Sequence, residues 1–446
     1  MKAIIFTDMN ASIGLGRYAG PYRIASEYRK RGIEVKVVDF MMSFNLSELK
    51  NIVDMYSTSE TEWIGISSTF LATRDFNKFS NRIQIRDQLE QSTSVGLSID
   101  EATKFFDYCR SKNLRILIGG ARLKHDFKDV EWINGQGELS LFKDFDFNKS
   151  QILWNKEDHI FEHEHLPIEI ARGCIFKCSF CGFNLNGKKL WDWCKSPEVV
   201  YEEMIRNYTE FGTTGYMFSD DTYNDSPVKV KMFRDMFKTL PFNLEFTTYA
   251  RLDLIASKWE TMDMLAESGM KSVFFGVESL NHLSGKSIGK GMHPDKIKDA
   301  IYRNKDEYPD ILICAGFIAG LPHETIETLE ETIKWLENSP IDSYSYQTLS
   351  IGTKSNMGLD PKKYGYKFDE NNKWYNEHMS WKEANELAET ASRGTLSAFT
   401  FYSRLRNLDY LPAEVKLITE KDEDEINFRN INKIYSYKEK VLGYNL

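Results

Sequence analysis

Residues 167–182 read Pro-Ile-Glu-Ile-Ala-Arg-Gly-Cys-Ile-Phe-Lys-Cys-Ser-Phe-Cys-Gly. The first five are a short apolar run, PIEIA, that predicts a strand, and the three cysteines fall on the loop that leaves it. Working outward, further strand-like runs follow at TGYMFS (214–219), LEFTTY (244–249), SVFFGV (272–277), ILICAGFI (311–318) and DSYSYQTL (342–349). Amphipathic helical stretches fill the gaps: 196–212, 228–240, 259–269, 293–308 and 325–338. Strands that alternate with helices imply a parallel sheet. Six βα units are too few to close an eight-stranded barrel, so residues 167–355 predict an open, partial (β/α)6 TIM barrel with its site at the strand C-termini.

The residues before the cysteine loop alternate in the same way. KAIIFTD (2–8), IEVKVVDF (33–40), WIGISSTF (63–70), LRILIGG (114–120) and VEWING (130–135) read as strands. YRIASEYRKRG (22–32), LSELKNIVDMY (46–56) and IDEATKFFDYCRSKN (99–113) read as helices. Residues 1–145 therefore predict an α/β, doubly wound, Rossmann-like domain, which takes ligands at the carboxyl ends of its strands. Those ends carry Thr7-Asp8, Ser67-Ser68-Thr69 and Gly119-Gly120. Residues 146–166 are polar and charged and read as a linker. Residues 356–446 predict a mainly helical C-terminal region, and the segment after the sixth strand (350–381), rich in Tyr, Trp, Lys and Asn, is a candidate cover for the barrel mouth or a wrapping of its surface.

The bulk numbers exclude several classes. At 446 residues the chain is too long for one ordinary core. No apolar run approaches the roughly 18 residues of a membrane span, and the N-terminus reads as a strand, not a signal peptide. The formal charge of −9, without a block of lysine or arginine, gives no indication of nucleic-acid binding. Six cysteines in so long a chain are no disulfide framework, and a reducing cytoplasm is the expected compartment. Cys109, Cys194 and Cys314 stand singly and read as small apolar core residues.

Cys174, Cys178 and Cys181 are different. Soft thiolates select zinc or iron–sulfur. Structural zinc wants four protein ligands, and a fourth cysteine at suitable spacing is lacking. His163 and His165 precede the strand and belong to its opposite end. Three thiolates leave one iron of a four-iron, four-sulfur cube open to a substrate.

This CxxxCxxC loop on a partial barrel resembles the radical S-adenosylmethionine (SAM) superfamily, and in particular its members with an N-terminal cobalamin-binding domain. The resemblance runs discontinuously from about residue 1 to 350. It implies a cluster on Cys174, Cys178 and Cys181, with SAM chelating the open iron and cleaved to a 5′-deoxyadenosyl radical. It also implies an electron donor such as flavodoxin or ferredoxin. Phe180 resembles the aromatic residue near the adenine. Asp220 and Asp221 stand where many members carry Gly-Gly-Glu for the SAM ammonium, and one of the two is the expected contact. Arg251 resembles the residue that holds the SAM carboxylate, and Glu278 the one that binds the ribose. Gly316, in Gly316-Phe-Ile-Ala-Gly320, resembles the adenine-contacting segment.

The same resemblance places cobalamin contacts at Asn10, Ser68, Thr69, Gly119 and Gly120. Asn10 stands where the methionine-synthase type carries its cobalt-ligating histidine, so coordination by that imidazole is not expected. Gly135-Gln-Gly137-Glu138 resembles the Gly-Glu-Gly-Glu that often closes such domains. Methylthiotransferases are excluded, because the first domain lacks their second cysteine triad. The leading expectation is a cobalamin-dependent methyltransferase acting on an unactivated carbon of a small-molecule or peptide substrate. Another radical reaction (cyclisation, ring contraction or epimerisation) and a non-catalytic iron–sulfur or zinc protein are the alternatives.

Overall fold

The computed structural model describes residues 2–7, 16–67, 97–120, 127–183, 185–351, 358–391, 401–415 and 423–443. The chain forms two compact units. The first comprises Met1–Ile168, Glu198–Thr213 and Arg404–Leu446, and the second Glu169–Pro197 and Thr214–Ser403. Among the described residues no helix is long and apolar enough to cross a membrane.

The first unit is built on five strands: β1 (Ala3–Thr7), β2 (Val35–Val38), β3 (Trp63–Ser67), β4 (Arg115–Gly119) and β5 (Glu131–Ile133). Their order, β2-β1-β3-β4-β5, with parallel pairing throughout, is the doubly wound sheet expected from the sequence. The order reverses between β1 and β3, where ligands of such sheets bind. Helices Leu46–Tyr56 and Ile99–Ser111 begin with capping boxes, Asn45 with Glu48 and Ser98 with Glu101. Such caps satisfy amides that lack helical partners and contribute about 1 kcal/mol each. Leu49, Ile52 and Val53 then bury one helical stripe at the expected spacing.

Residues 146–166, expected as a linker, lie within this unit. Phe147, Ile152, Trp154 and Phe161 are buried, and the Arg17 guanidinium ties the segment down. Arg17 Nε donates to Glu164 at 2.8 Å, and Nη1 donates to Asp39 at 2.9 Å and to the Asp158 carbonyl at 2.6 Å. A cation so deeply buried needs such partners to offset its desolvation. The C-terminal helix Glu423–Val441 returns to the same unit, where Tyr437 Oη accepts from the Asp39 amide and Lys438 pairs with Glu48 at 2.9 Å. The region expected as one C-terminal piece is thus divided, with residues 404–446 in the first unit and 358–403 in the second.

All six strands expected after residue 166 form. The first is β6 (Leu166–Ile168), which belongs to the first unit. The second unit holds β7 (Gly215–Phe218), β8 (Glu245–Ala250), β9 (Met270–Glu278), β10 (Leu312–Ala319) and β11 (Ser343–Thr348). Within the second unit each strand from β7 to β11 lies beside its neighbour in sequence, and all these pairs are parallel. This singly wound, open arrangement is that of a partial barrel, and it brings the chemically distinctive residues to the strand C-termini.

Candidate active site

The cysteine loop is shaped by the carboxylates at the end of β7. Asp220 is buried, and its two oxygens accept the amides of Ile170 and Ala171 at 2.8 and 3.0 Å. Burial raises its carboxyl to about 6, against the opposing pull of Lys229 and the two amides. Asp221 accepts the Gly173 amide at 2.8 Å through one oxygen. The loop then returns alongside itself: Gly187 N–H donates to the Cys174 carbonyl at 2.7 Å, and Arg172 N–H to the Trp193 carbonyl at 2.9 Å. Gly173 allows the tight pass, with φ +78° and a would-be Cβ only 2.6 Å from Leu185 Cβ.

Each of the three cysteines is half-buried, and each sulfur faces a polar group. Cys174 Sγ lies 3.3 Å from Thr222 Oγ1. Cys178 Sγ accepts from Arg251 Nη1 at 3.3 Å, and Cys181 Sγ from Asn186 Nδ2 at 3.1 Å. Burial pushes the Cys174 thiol up, so it stays protonated unless a metal takes the proton's place. Among the described residues no three Cys, His, Asp or Glu side chains stand ready-gathered as a metal site. The donor chemistry nevertheless fits an iron–sulfur cluster: three soft ligands share one loop, with donors aimed at two sulfurs and a hydroxyl beside the third. His163 and His165 belong to the first unit and the cysteines to the second. Cys109, Cys194 and Cys314 are buried, and burial pushes their thiols to about 12, 11 and 12.

Of the other candidates, Arg251 and Glu278 occupy neighbouring strand ends. Arg251, which follows β8, is clamped by Asp253, with Nε–Oδ1 at 3.0 Å, and its guanidinium lies 4.0 Å from the centre of the Phe176 ring. Phe180 is half-buried on the cysteine loop. Glu278 ends β9 at φ +70° and pairs with Lys290 at 2.9 Å. Gly316 lies in the middle of β10, opposite Gly276, where an added Cβ would meet the Phe274 ring at 2.5 Å.

Two residues escaped the sequence reading. Lys290 holds Glu278 and also donates to the Gly276 carbonyl. Glu324 is buried behind the Gly320 turn, where it accepts from Ser279 Oγ at 2.6 Å and from the Gly320 and Leu321 amides at 3.0 Å each. Its place four residues beyond Gly320 was the available signal.

Of the cobalamin candidates, Asn10, Ser68 and Thr69 lie outside the described residues. Gly119 ends β4, and Gly120 follows with φ +99°. At the end of β1, on the reversal of strand order, the Thr7 hydroxyl is buried with no partner among the described residues. A strand-end switch point with an unused buried hydroxyl suits a ligand-binding domain.

Residues 168–336 match the family model of the radical SAM superfamily. An uncharacterized methyltransferase of Pyrococcus horikoshii is 31% identical over 183 residues, which are 41% of this chain and 38% of that protein. The anaerobic magnesium-protoporphyrin IX monomethyl ester cyclase of Cereibacter sphaeroides is 27% identical over 187 residues, 40% of this chain and 30% of that protein. The chain thus spans less than half the length of these curated relatives. Among solved structures, TsrM of Kitasatospora setae is a radical SAM methyltransferase, determined with cobalamin and a four-iron, four-sulfur cluster bound. It matches with a TM-score of 0.59 at 14% identity, over 97% of this chain and 100% of that one. At that identity the likeness shows the fold.

Proposed function

Residues 168–336 match the radical SAM family model, and from that premise we propose that the chain is a cobalamin-dependent methyltransferase acting on an unactivated carbon. The observation that carries the reading is the cysteine loop: three half-buried thiols, each facing a polar group, at the C-terminal ends of parallel strands. Cys174, Cys178 and Cys181 would hold a four-iron, four-sulfur cluster. Such a cluster, when bound, supplies the electron that splits a carbon–sulfur bond of SAM into methionine and a 5′-deoxyadenosyl radical. Cobalamin, when bound to the first unit, supplies the methyl carrier.

The chain's own residues bind and orient. Asp220 spends both oxygens on the loop, so Asp221, with one oxygen left over, is the acceptor for the SAM ammonium. Arg251 fixes a positive charge beside Cys178, where a carboxylate chelating the open iron would meet it. Glu278, steered by Lys290, is placed for ribose hydroxyls, with Phe180 and the Gly316–Gly320 backbone for the adenine. Likeness to TsrM in fold and to the Pyrococcus methyltransferase in sequence supports methyl transfer. Likeness to the cyclase supports a second reading, ring formation by the same radical.

The test is anaerobic reconstitution with iron, sulfide and cobalamin, followed by optical spectra and an assay for S-adenosylhomocysteine and 5′-deoxyadenosine. Both products are expected. Deoxyadenosine alone, with corrinoid bound and substrate present, overturns methyl transfer and favours ring formation. Bound zinc, with no SAM cleavage, overturns the radical reading.

A further inference from the structure

The segment after the sixth strand folds back on the second unit. Lys367–Phe368 and Trp374–Tyr375 pair as a short antiparallel hairpin, and helix Trp381–Ala391 follows. Trp374 is buried. Its Nε1 donates to the Leu349 carbonyl at 2.7 Å, just past β11, and its ring fills the place of a Cβ on Gly320, just past β10. Tyr366 Oη donates to the Gly320 carbonyl at 2.7 Å. The hairpin is thus seated at the C-terminal ends of the last two strands, the end at which barrel sites open.

Residues of the hairpin and of the helix start line a cleft of about 390 Å³, a volume that suits a small molecule. Its aromatic walls are Trp374, Tyr375 and Trp381, and its cations are Lys373 and Lys382. Lys373 Nζ lies 3.5 Å from the centre of the Trp381 ring, and no carboxylate pairs with it among the described residues. Lys382 reaches only Glu386, at 3.8 Å between two exposed side chains, a pair that contributes little. The single acid of the lining, Asp369, is turned to its own loop, where Oδ1 accepts the amides of Asn371 and Lys373 at 2.9 and 2.8 Å. An ammonium held on an aromatic face, among three rings and without a counter-ion, suits a flat apolar body with a negative charge at its edge. A cationic ligand would meet two lysines, and a purely apolar one would desolvate the ammonium without pairing it.

We propose that this cleft is a binding site for a planar aromatic carboxylate. The ligand's ring lies against Trp374 and Tyr375, and its carboxylate pairs with the Lys373 ammonium that Trp381 holds in place. Lys382, at the rim, speeds approach more than it prolongs residence. The site does not depend on the chemistry of the cysteine loop.

The experiment is isothermal titration calorimetry on the full chain, prepared anaerobically, with 2-naphthoate as probe. 2-Naphthoate should bind at a single site. Naphthalen-2-ylmethanol keeps the ring without the charge, and cyclohexanecarboxylate keeps the charge without the flat face. Each should bind about tenfold more weakly, the cost of one lost contact. Lys373→Gln should lose about tenfold for 2-naphthoate and nothing for the alcohol, because only the charged contact is gone. Lys373 is exposed, so this variant should fold, and far-ultraviolet circular dichroism checks that it does. Trp381→Phe should keep the binding, and Trp381→Ala should weaken it. Lys296→Gln, which removes an exposed lysine from helix Pro294–Glu307, should bind as the wild type does. A wild type that does not bind 2-naphthoate, or a Lys373→Gln variant that binds it equally well, overturns the site. Equal weakening by Lys296→Gln would mean general attraction of anions and overturns it too. No SAM is cleaved in the titration, so failure here leaves the radical reading standing, and failure of that reading leaves the cleft standing.

Discussion

Arg251 Nη1 donates to the Cys178 sulfur at 3.3 Å, while Asp253 clamps the other edge of the same guanidinium. A donor aimed at a ligating sulfur stabilises the more negative, reduced state of a cluster and so raises its potential. Arg251→Gln should therefore lower the midpoint potential. Loss of one modest charge-assisted bond, about 1.4 kcal/mol, corresponds to about 60 mV for one electron. Redox titration monitored by electron paramagnetic resonance measures it, and an unmoved potential would assign Arg251 to SAM alone.

Asp220 and Asp221 are adjacent but differ in duty, and their asparagine variants should separate. An amide at position 220 keeps one acceptor and turns a donor towards a backbone N–H, leaving a buried amide unpaired at about 1–3 kcal/mol. Asp220→Asn should thus lose iron on reconstitution and lower the melting temperature. In Asp221→Asn the remaining oxygen can still accept the Gly173 amide, so iron should stay. SAM affinity should then fall roughly tenfold, the cost of one such bond. Iron per chain and SAM titration of the cluster spectrum decide between them. Equal iron loss in both variants contradicts the division.

The alternation of strand and helix was legible because each buried parallel strand is a continuous apolar run, and each helix carries its own stripe and cap. What the sequence concealed depends on partners far away in the chain. Whether Asp220 faces a ligand or a backbone was undecidable from Ser219-Asp-Asp-Thr222, since Ile170 and Ala171 arrive from about fifty residues earlier. Trp154 and Phe161 looked isolated among charges, and only the Arg17 network shows why that segment is fixed. Lys290 was unreadable too, as a lysine gains its meaning here from Glu278 on the other side of the helix His282–Ser287.

Glu324 is buried, and burial raises its carboxyl to about 8 despite three hydrogen bonds to it. The neutral form is thus favoured in the folded chain, and the ordinary value of 4.5 applies when unfolded. Stability from this group is fully present below about pH 4.5 and is lost as pH rises towards 8. Glu324→Gln has no proton to lose, so its stability should fall less across that window. The difference should reach a few kcal/mol at pH 8, at about 1.4 kcal/mol per pKa unit. Denaturant melts at pH 5 and pH 8 check it. Parallel pH profiles for the two proteins would show that the hydrogen bonds outweigh burial.

Gly173 and Gly212 share a left-handed backbone, φ +78° and φ +68°, but only the first is crowded. An alanine at either position meets the backbone penalty, about 1–2 kcal/mol. At position 212 nothing lies within 4 Å of the new carbon. At position 173 it would fall 2.6 Å from Leu185 Cβ and 2.8 Å from the Leu185 carbonyl oxygen, forcing apart the two arms of the cysteine loop. Gly212→Ala should therefore lower the melting temperature slightly and bind iron normally. Gly173→Ala should lose most of its iron even where the fold survives, because the displaced arm carries Asn186, the donor to Cys181. Iron content beside far-ultraviolet circular dichroism separates the two effects. Full iron in Gly173→Ala would mean that the loop can open without disturbing its cysteines.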